Sequence, residues 1–149
     1  MEHHAAMVPI STSVKDLLSK TVQTVLFGDK CGNVSTITSL TLSSCDCLRV
    51  FRVGSASFSY ALTFTVKDMP ALEALVVEEW CFAKKGKSTA MTITNCGALT
   101  EVSVGSHSME EWRRCVVEGC EALVVLSVED YCFRGVSELR VDGECGGAR

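Results

Sequence analysis

The chain has 149 residues, 47% hydrophobic and 21% charged, with a formal net charge of −4 and a pI near 5.4. This composition is globular rather than disordered, and its acidic balance leaves no excess of Lys and Arg for tracking nucleic acid or an anionic membrane surface. No apolar run approaches the roughly 20 residues that span a bilayer. Residues 1–12 lack both the basic start and the apolar stretch of a secretory signal, so the expected compartment is cytoplasmic.

In chain order, residues 1–21 read as a tail and a short capping helix. Ser13-Val14-Lys15-Asp16-Leu17-Leu18 offers an N-cap and an amphipathic turn that would shield the first repeat unit. From there the sequence repeats. Leu48-Arg49-Val50-Phe51-Arg52-Val53 is echoed at 72–77, 99–104 and 123–128, at intervals of 24, 27 and 24 residues. Ten places after each opening Leu stand Phe58, Phe82, Met109 and Phe133. A period of this size marks a solenoid, in which each unit buries its apolar face only against its neighbours. A weaker unit at 22–28 and 40–45 precedes the others, giving five coils at 22–47, 48–71, 72–98, 99–122 and 123–143, and then a flexible tail at 144–149.

Each coil carries two runs of alternating apolar residues, the spacing of strands. The first run holds Phe51 and Val53, Leu75 and Val77, Val102 and Val104, Leu126 and Val128. The second holds Phe64 and Val66, Met91 and Ile93, Cys115 and Val117, Leu139 and Val141. The 27-residue unit places its three extra residues within 83–90, a surface bulge containing Lys84, Lys85 and Lys87. Turns are expected at Gly54, Glu78, Gly105 and Glu129 after the first strand and at Asp68, Asn95, Gly119 and Gly143 after the second. Gly, Asn and Asp tolerate the left-handed angles that corners require. A short helix competes at 108–114, where Ser108 can cap and Glu111 stands three places on.

Nine cysteines cannot pair completely within one chain. Cys45, Cys96 and Cys120 share a register with Met69, and Cys81 and Cys132 share one with Ser57 and Ser108. Substitution by Met or Ser is what a compact core-filling side chain shows, so reduced structural thiols are expected.

The phrase from Leu48 to Phe58 resembles the leucine-rich repeat pattern L-x-x-L-x-L-x-x-N/C-x-L. Together with Phe64-x-Val66-x-Asp68-Met69-Pro70-x-Leu72 it is most similar to the divergent repeats of protist and bacterial leucine-rich repeat proteins, over residues 22–143. The place of the family's Asn ladder is taken by Ala56, Trp80, His107 and Tyr131, with Ser57, Cys81, Ser108 and Cys132 one step later. The resemblance implies a right-handed superhelix with parallel β-sheets on its concave and convex sides, protein binding on the concave sheet, and no catalysis or cofactor.

The outward positions of the first strand then form the candidate partner-binding columns: Val50, Ala74, Glu101 and Val125; Arg52, Val76, Ser103 and Ser127; and, with glycines between, Glu78 and Glu129. Their mix of apolar, small and acidic residues suits a protein partner better than phosphate. The other class of function is a structural segment of a larger repeat protein, and an uncovered last coil would associate end to end. Two lesser readings are a threonine array at Thr41, Thr65 and Thr92 that orders water, and a redox thiol at Cys81 or Cys132, which needs a lowered pKa and exposure. Cys45 and Cys47 with distant His107 do not have the spacing of a zinc site, so no metal is expected.

Overall fold

A computed structural model describes the backbone of Ala5–Met7 and residues 22–141 in full. The expected helix at 13–18 and tail at 144–149 lie outside the described residues. Among those described, the chain is strand and turn throughout. A short strand β1 (Ala5–Met7) leads into β2 (Thr24–Phe27) and β3 (Ser39–Ser43) of the first coil. The second coil supplies β4 (Val50–Val53) and β5 (Thr63–Lys67), and the third β6 (Ala74–Val77) and β7 (Ala90–Thr94). The fourth holds β8 (Glu101–Val104) and β9 (Arg114–Glu118), the fifth β10 (Val125–Val128) and β11 (Glu138–Val141). The result is a mainly-β solenoid of about five turns.

Every strand pairs in parallel with its equivalent one coil away. The first sheet runs β1-β2-β4-β6-β8-β10 and the second β3-β5-β7-β9-β11. The period-two runs produce this arrangement: Phe51, Leu75 and Val102 stack in one inward column and Phe64, Met91 and Cys115 in another, all at 0–1% exposure. β1, which no periodicity announced, pairs with β2 and adds a sixth strand to the first sheet. Aromatic rings thread the core from Phe27 through Phe58 and Phe82 to Trp112, with centroids 4.9, 5.6 and 5.5 Å apart at successive steps.

The corners differ from expectation in one respect. Asp68, Asn95 and Gly119 turn the chain after the second strand with φ of 53°, 58° and 65°, as their residue types foretold. After the first strand the left-handed residues are not Gly54 and Gly105 but Ala56, Trp80, His107 and Tyr131, then Phe58, Phe82, Met109 and Phe133. Gly54 and Gly105 serve close approach instead: a Cβ on Gly54 would stand 2.5 Å from the Gly28 carbonyl carbon, and one on Gly105 2.7 Å from that of Glu78. The positive φ of Met109 also excludes the helix at 108–114, where a turn runs through Glu111 and β9 begins at Arg114.

Placing a bulky L-residue in this region costs about 1–2 kcal/mol, and hydrogen bonds account for its use. The rotated peptide aims the N–H forward, so Ala56, Trp80 and His107 donate to the carbonyls of Glu79, Ser106 and Asp130 in the next coil at 2.9, 3.0 and 3.1 Å. Two residues on, Phe58, Phe82 and Met109 donate backward to Cys31, Ser57 and Cys81. Between them lies an interior ladder. Ser57 Oγ donates to the Gly28 carbonyl at 3.2 Å, Cys81 Sγ to Gly54 at 3.1 Å, Ser108 Oγ to Glu78 at 2.7 Å and Cys132 Sγ to Gly105 at 3.1 Å. The two serines also accept the N–H groups of Cys31 and Cys81, both at 3.0 Å.

The insertion in the third coil is tied down from below. Thr89 Oγ1 donates to the Gly86 carbonyl at 2.9 Å and accepts the Arg113 N–H at 3.0 Å, while the buried Trp112 indole donates to the Lys84 carbonyl at 2.8 Å. The three extra residues thus leave the inter-coil pairing of β5, β7 and β9 uninterrupted.

Ser108 tests the ladder. Ser108→Ala removes the hydroxyl that partners the half-buried Glu78 carbonyl and the buried Cys81 N–H, and is expected to cost about 2 kcal/mol in urea unfolding. Ser108→Cys, which installs the side chain found at Cys81 and Cys132, is expected to lose less than half as much. Equal losses would show that a thiol cannot stand in for the hydroxyl at this rung of the ladder.

Candidate functional site

Strand pairing brings the outward residues of the first sheet into columns. Val50, Ala74, Glu101 and Val125 are successive partners across β4, β6, β8 and β10, as are Arg52, Val76, Ser103 and Ser127. Glu78 and Glu129 stand just past the ends of β6 and β10. Arg52, Glu101, Val125 and Glu129 are exposed and the other six half-buried, so all ten predicted residues reach one continuous face.

The face is not flat. Gly28 and Gly54 carry no side chain where the next coil has Glu78, and a shallow open notch of about 440 Å³ forms there, walled by Leu26, Asp29, Arg52 and Glu78. The Arg52 guanidinium forms an ion pair with the Glu78 carboxylate along one wall. The notch therefore offers a floor of bare backbone beside a paired cation and anion, and Asp29 is committed to accepting the Ser55 N–H at 2.9 Å. Such a site can seat a small apolar side chain and exchange ion pairs at its margin.

Next to this face runs a column that pattern reading passed over. Trp80, His107 and Tyr131 occupy the same left-handed corner of successive coils, and their rings stack almost parallel. Trp80 and His107 are 4.0 Å apart at 1°, His107 and Tyr131 4.6 Å apart at 9°. His107 Nδ1 lies 2.6 Å from Glu110 Oε2, and the Arg134 guanidinium stands 5.7 Å over the Tyr131 ring. Trp80 is 54% and Tyr131 55% exposed. The signal was present as three ring-bearing side chains in one register, but a leucine-rich repeat frame assigns that place to inward polar residues. Here the left-handed backbone turns it outward and hands the inward role to Ser57, Cys81, Ser108 and Cys132.

On the second sheet Thr41, Thr65, Thr92, Val116 and Arg140 are successive partners, so the threonine column exists and ends after three residues. The Lys84, Lys85 and Lys87 side chains are exposed, with Lys84 Nζ 5.8 Å from the Tyr60 ring centroid. Among the described residues no group of His, Cys, Asp and Glu is arranged to hold a metal, and none of their eight cysteines is in a disulfide. Among them, too, no helix is long and apolar enough to cross a membrane.

The thiols mark the interior. Burial pushes the Cys81 and Cys115 thiols up to about 11, and burial also raises Cys132. All three shifts run against the thiolate that redox chemistry needs. Cys96 is lowered through a hydrogen bond with Cys120, but it is fully buried. No protein-family model, curated protein or solved structure matches this chain.

A raised thiol pKa carries a pH dependence of known sign. Between pH 9, the ordinary thiol value, and about 11 the folded chain holds protons on Cys81 and Cys115 that the unfolded chain has released. Their contribution is therefore intact below pH 9 and lost as pH rises toward 11. Each thiol is expected to add a slope of about 1.4 kcal/mol per pH unit in that window, read from urea midpoints at stepped pH. A Cys81→Ala variant, compared with its own neutral-pH value, should lose one such increment of slope. An unchanged slope would contradict the assignment.

Proposed function

We propose that this chain is a protein-interaction module of leucine-rich-repeat type, without a cofactor, that takes a protein partner on the outward face of its first sheet. The carrying observation is the coincidence on one face of the notch beside the Arg52–Glu78 pair and the columns through Val50, Val76, Glu101 and Val125. A mixed apolar and charged surface with one recess for an anchoring side chain is the usual anatomy of a protein-binding patch. The adjoining Trp80 and Tyr131 edges extend it with the residue types that dominate binding energy in such patches.

Support for the family reading comes from the buried opening leucines, Leu48, Leu72, Leu99 and Leu123, and from the Ser/Cys ladder, which satisfies buried backbone groups as the family's asparagines do. In that reading the first sheet is the concave side. A non-catalytic role fits the protonated, interior thiols.

Arg52→Glu combined with Glu101→Arg reverses charge on the face while leaving the inward registers untouched. Affinity capture with the native array should retain a protein that this variant loses by about tenfold or more, and that Thr65→Ala on the opposite sheet still retains. Capture unaffected by the reversal would place binding elsewhere. No capture at all would favour a structural segment.

A further inference from the structure

The two ends of the array are unlike. In the first coil the inward residues Val25, Leu40 and Leu42 are 0–2% exposed, and β1 lies along the outer edge of β2. In the last coil the same registers are open. Leu139 is 66% exposed where Met91 and Cys115 are 0% and 1%, and Val128 is 43% exposed where Val53 and Val104 are 0%. Among the described residues β10 pairs only with β8 and β11 only with β9, so within them each has an outer edge whose N–H and C=O groups face no further strand. Backbone groups and apolar side chains are exposed together there, which is the template for strand addition.

We propose that this end binds a second copy of the chain, last coil to last coil, across a twofold axis normal to the two sheets. β11 then pairs antiparallel with β11 of the second copy, and β10 with its β10. The charge order of β11 identifies the occupant. Glu138-Leu139-Arg140 reads negative, apolar, positive, so antiparallel self-pairing centred on Leu139 sets each Glu138 opposite the other copy's Arg140. In each copy Glu138 already meets Arg114 at 2.7 Å and Arg140 lies 3.4 Å from Glu118, so the contact lengthens an existing row of charges. β10, Val125-Leu126-Ser127-Val128, is uncharged and raises no repulsion. Head-to-tail stacking lacks both features, because the opposite end has covered inward residues and an uncharged edge at β3, Ser39-Leu40-Thr41-Leu42-Ser43. A twofold contact consumes both open ends, so assembly stops at the dimer.

Sedimentation equilibrium of the full chain over a concentration series tests this. The expected result is a monomer–dimer equilibrium with no larger species. Glu138→Arg faces Arg with Arg twice across the axis and should weaken the dimer at least about tenfold, as should Arg140→Glu. Combining the two should restore it, although the pairs with Arg114 and Glu118 within each copy stay reversed. Thermal unfolding confirms that each variant is folded. Leu139→Asp, at a position two-thirds exposed in the single chain, brings two carboxylates to the axis and should give a monomer. A monomer at every concentration overturns the proposal. So does an open-ended polymer, or a combined variant that fails to recover the dimer.

Discussion

The structure depends on one constraint: each strand finds its hydrogen-bond partner one coil away. β4 bonds to β2 and β6, β5 to β3 and β7, and the two strands of a single coil belong to different sheets. A coil by itself has neither a ladder nor a covered core, so folding is a property of neighbours. This arrangement demands equal pitch. Residue i must stand over its equivalent in both directions, and so the 27-residue coil keeps its three extra residues in a loop outside the sheets, held by Trp112 and Thr89.

Corners are where such a chain would fail, because a turn within a stack leaves backbone groups buried between coils. The left-handed residues solve this by alternating the direction of donation. Trp80 N–H points forward to Ser106 and Phe82 N–H backward to Ser57, with the Cys81 thiol bonded to Gly54 between them. Among the described residues no buried side-chain N or O atom lacks a hydrogen-bond partner. The same geometry creates the surface. A residue turned outward at φ near +60° stacks on its equivalent above and below, and so Trp80, His107 and Tyr131 become a column of rings. Glycine at 54 helps open the notch for a related reason, since its backbone touches that of Gly28 and leaves no room for a Cβ.

Much of this was legible because stacking makes sequence period and spatial register the same thing. The alternation at Phe51 and Val53, or Met91 and Ile93, located the strands, and the common pitch predicted the columns through Val50 and Arg52 and the threonine column through Thr65. Three features were not legible. Ala56, Trp80 and Tyr131 are poor left-handed residues by type, and for Ala56 and Trp80 the hydrogen bonds to the adjoining coil, not the residue type, account for the conformation. Gly54 and Gly105 looked like flexible corners, whereas close contact selects glycine at both. Strand β1 has three residues and no periodic mate, so its pairing with β2 is a tertiary fact.

Hydrogen exchange at the amides of Ala56, Trp80 and His107 tests the central claim most directly. These residues sit in turns with partly or largely exposed side chains, where amides ordinarily exchange fast. If left-handed corners bind each coil to the next, the three amides exchange slowly, alongside those of β4, β6 and β8. Exchange at the rate of unprotected turns, while the strands remain protected, would contradict the account.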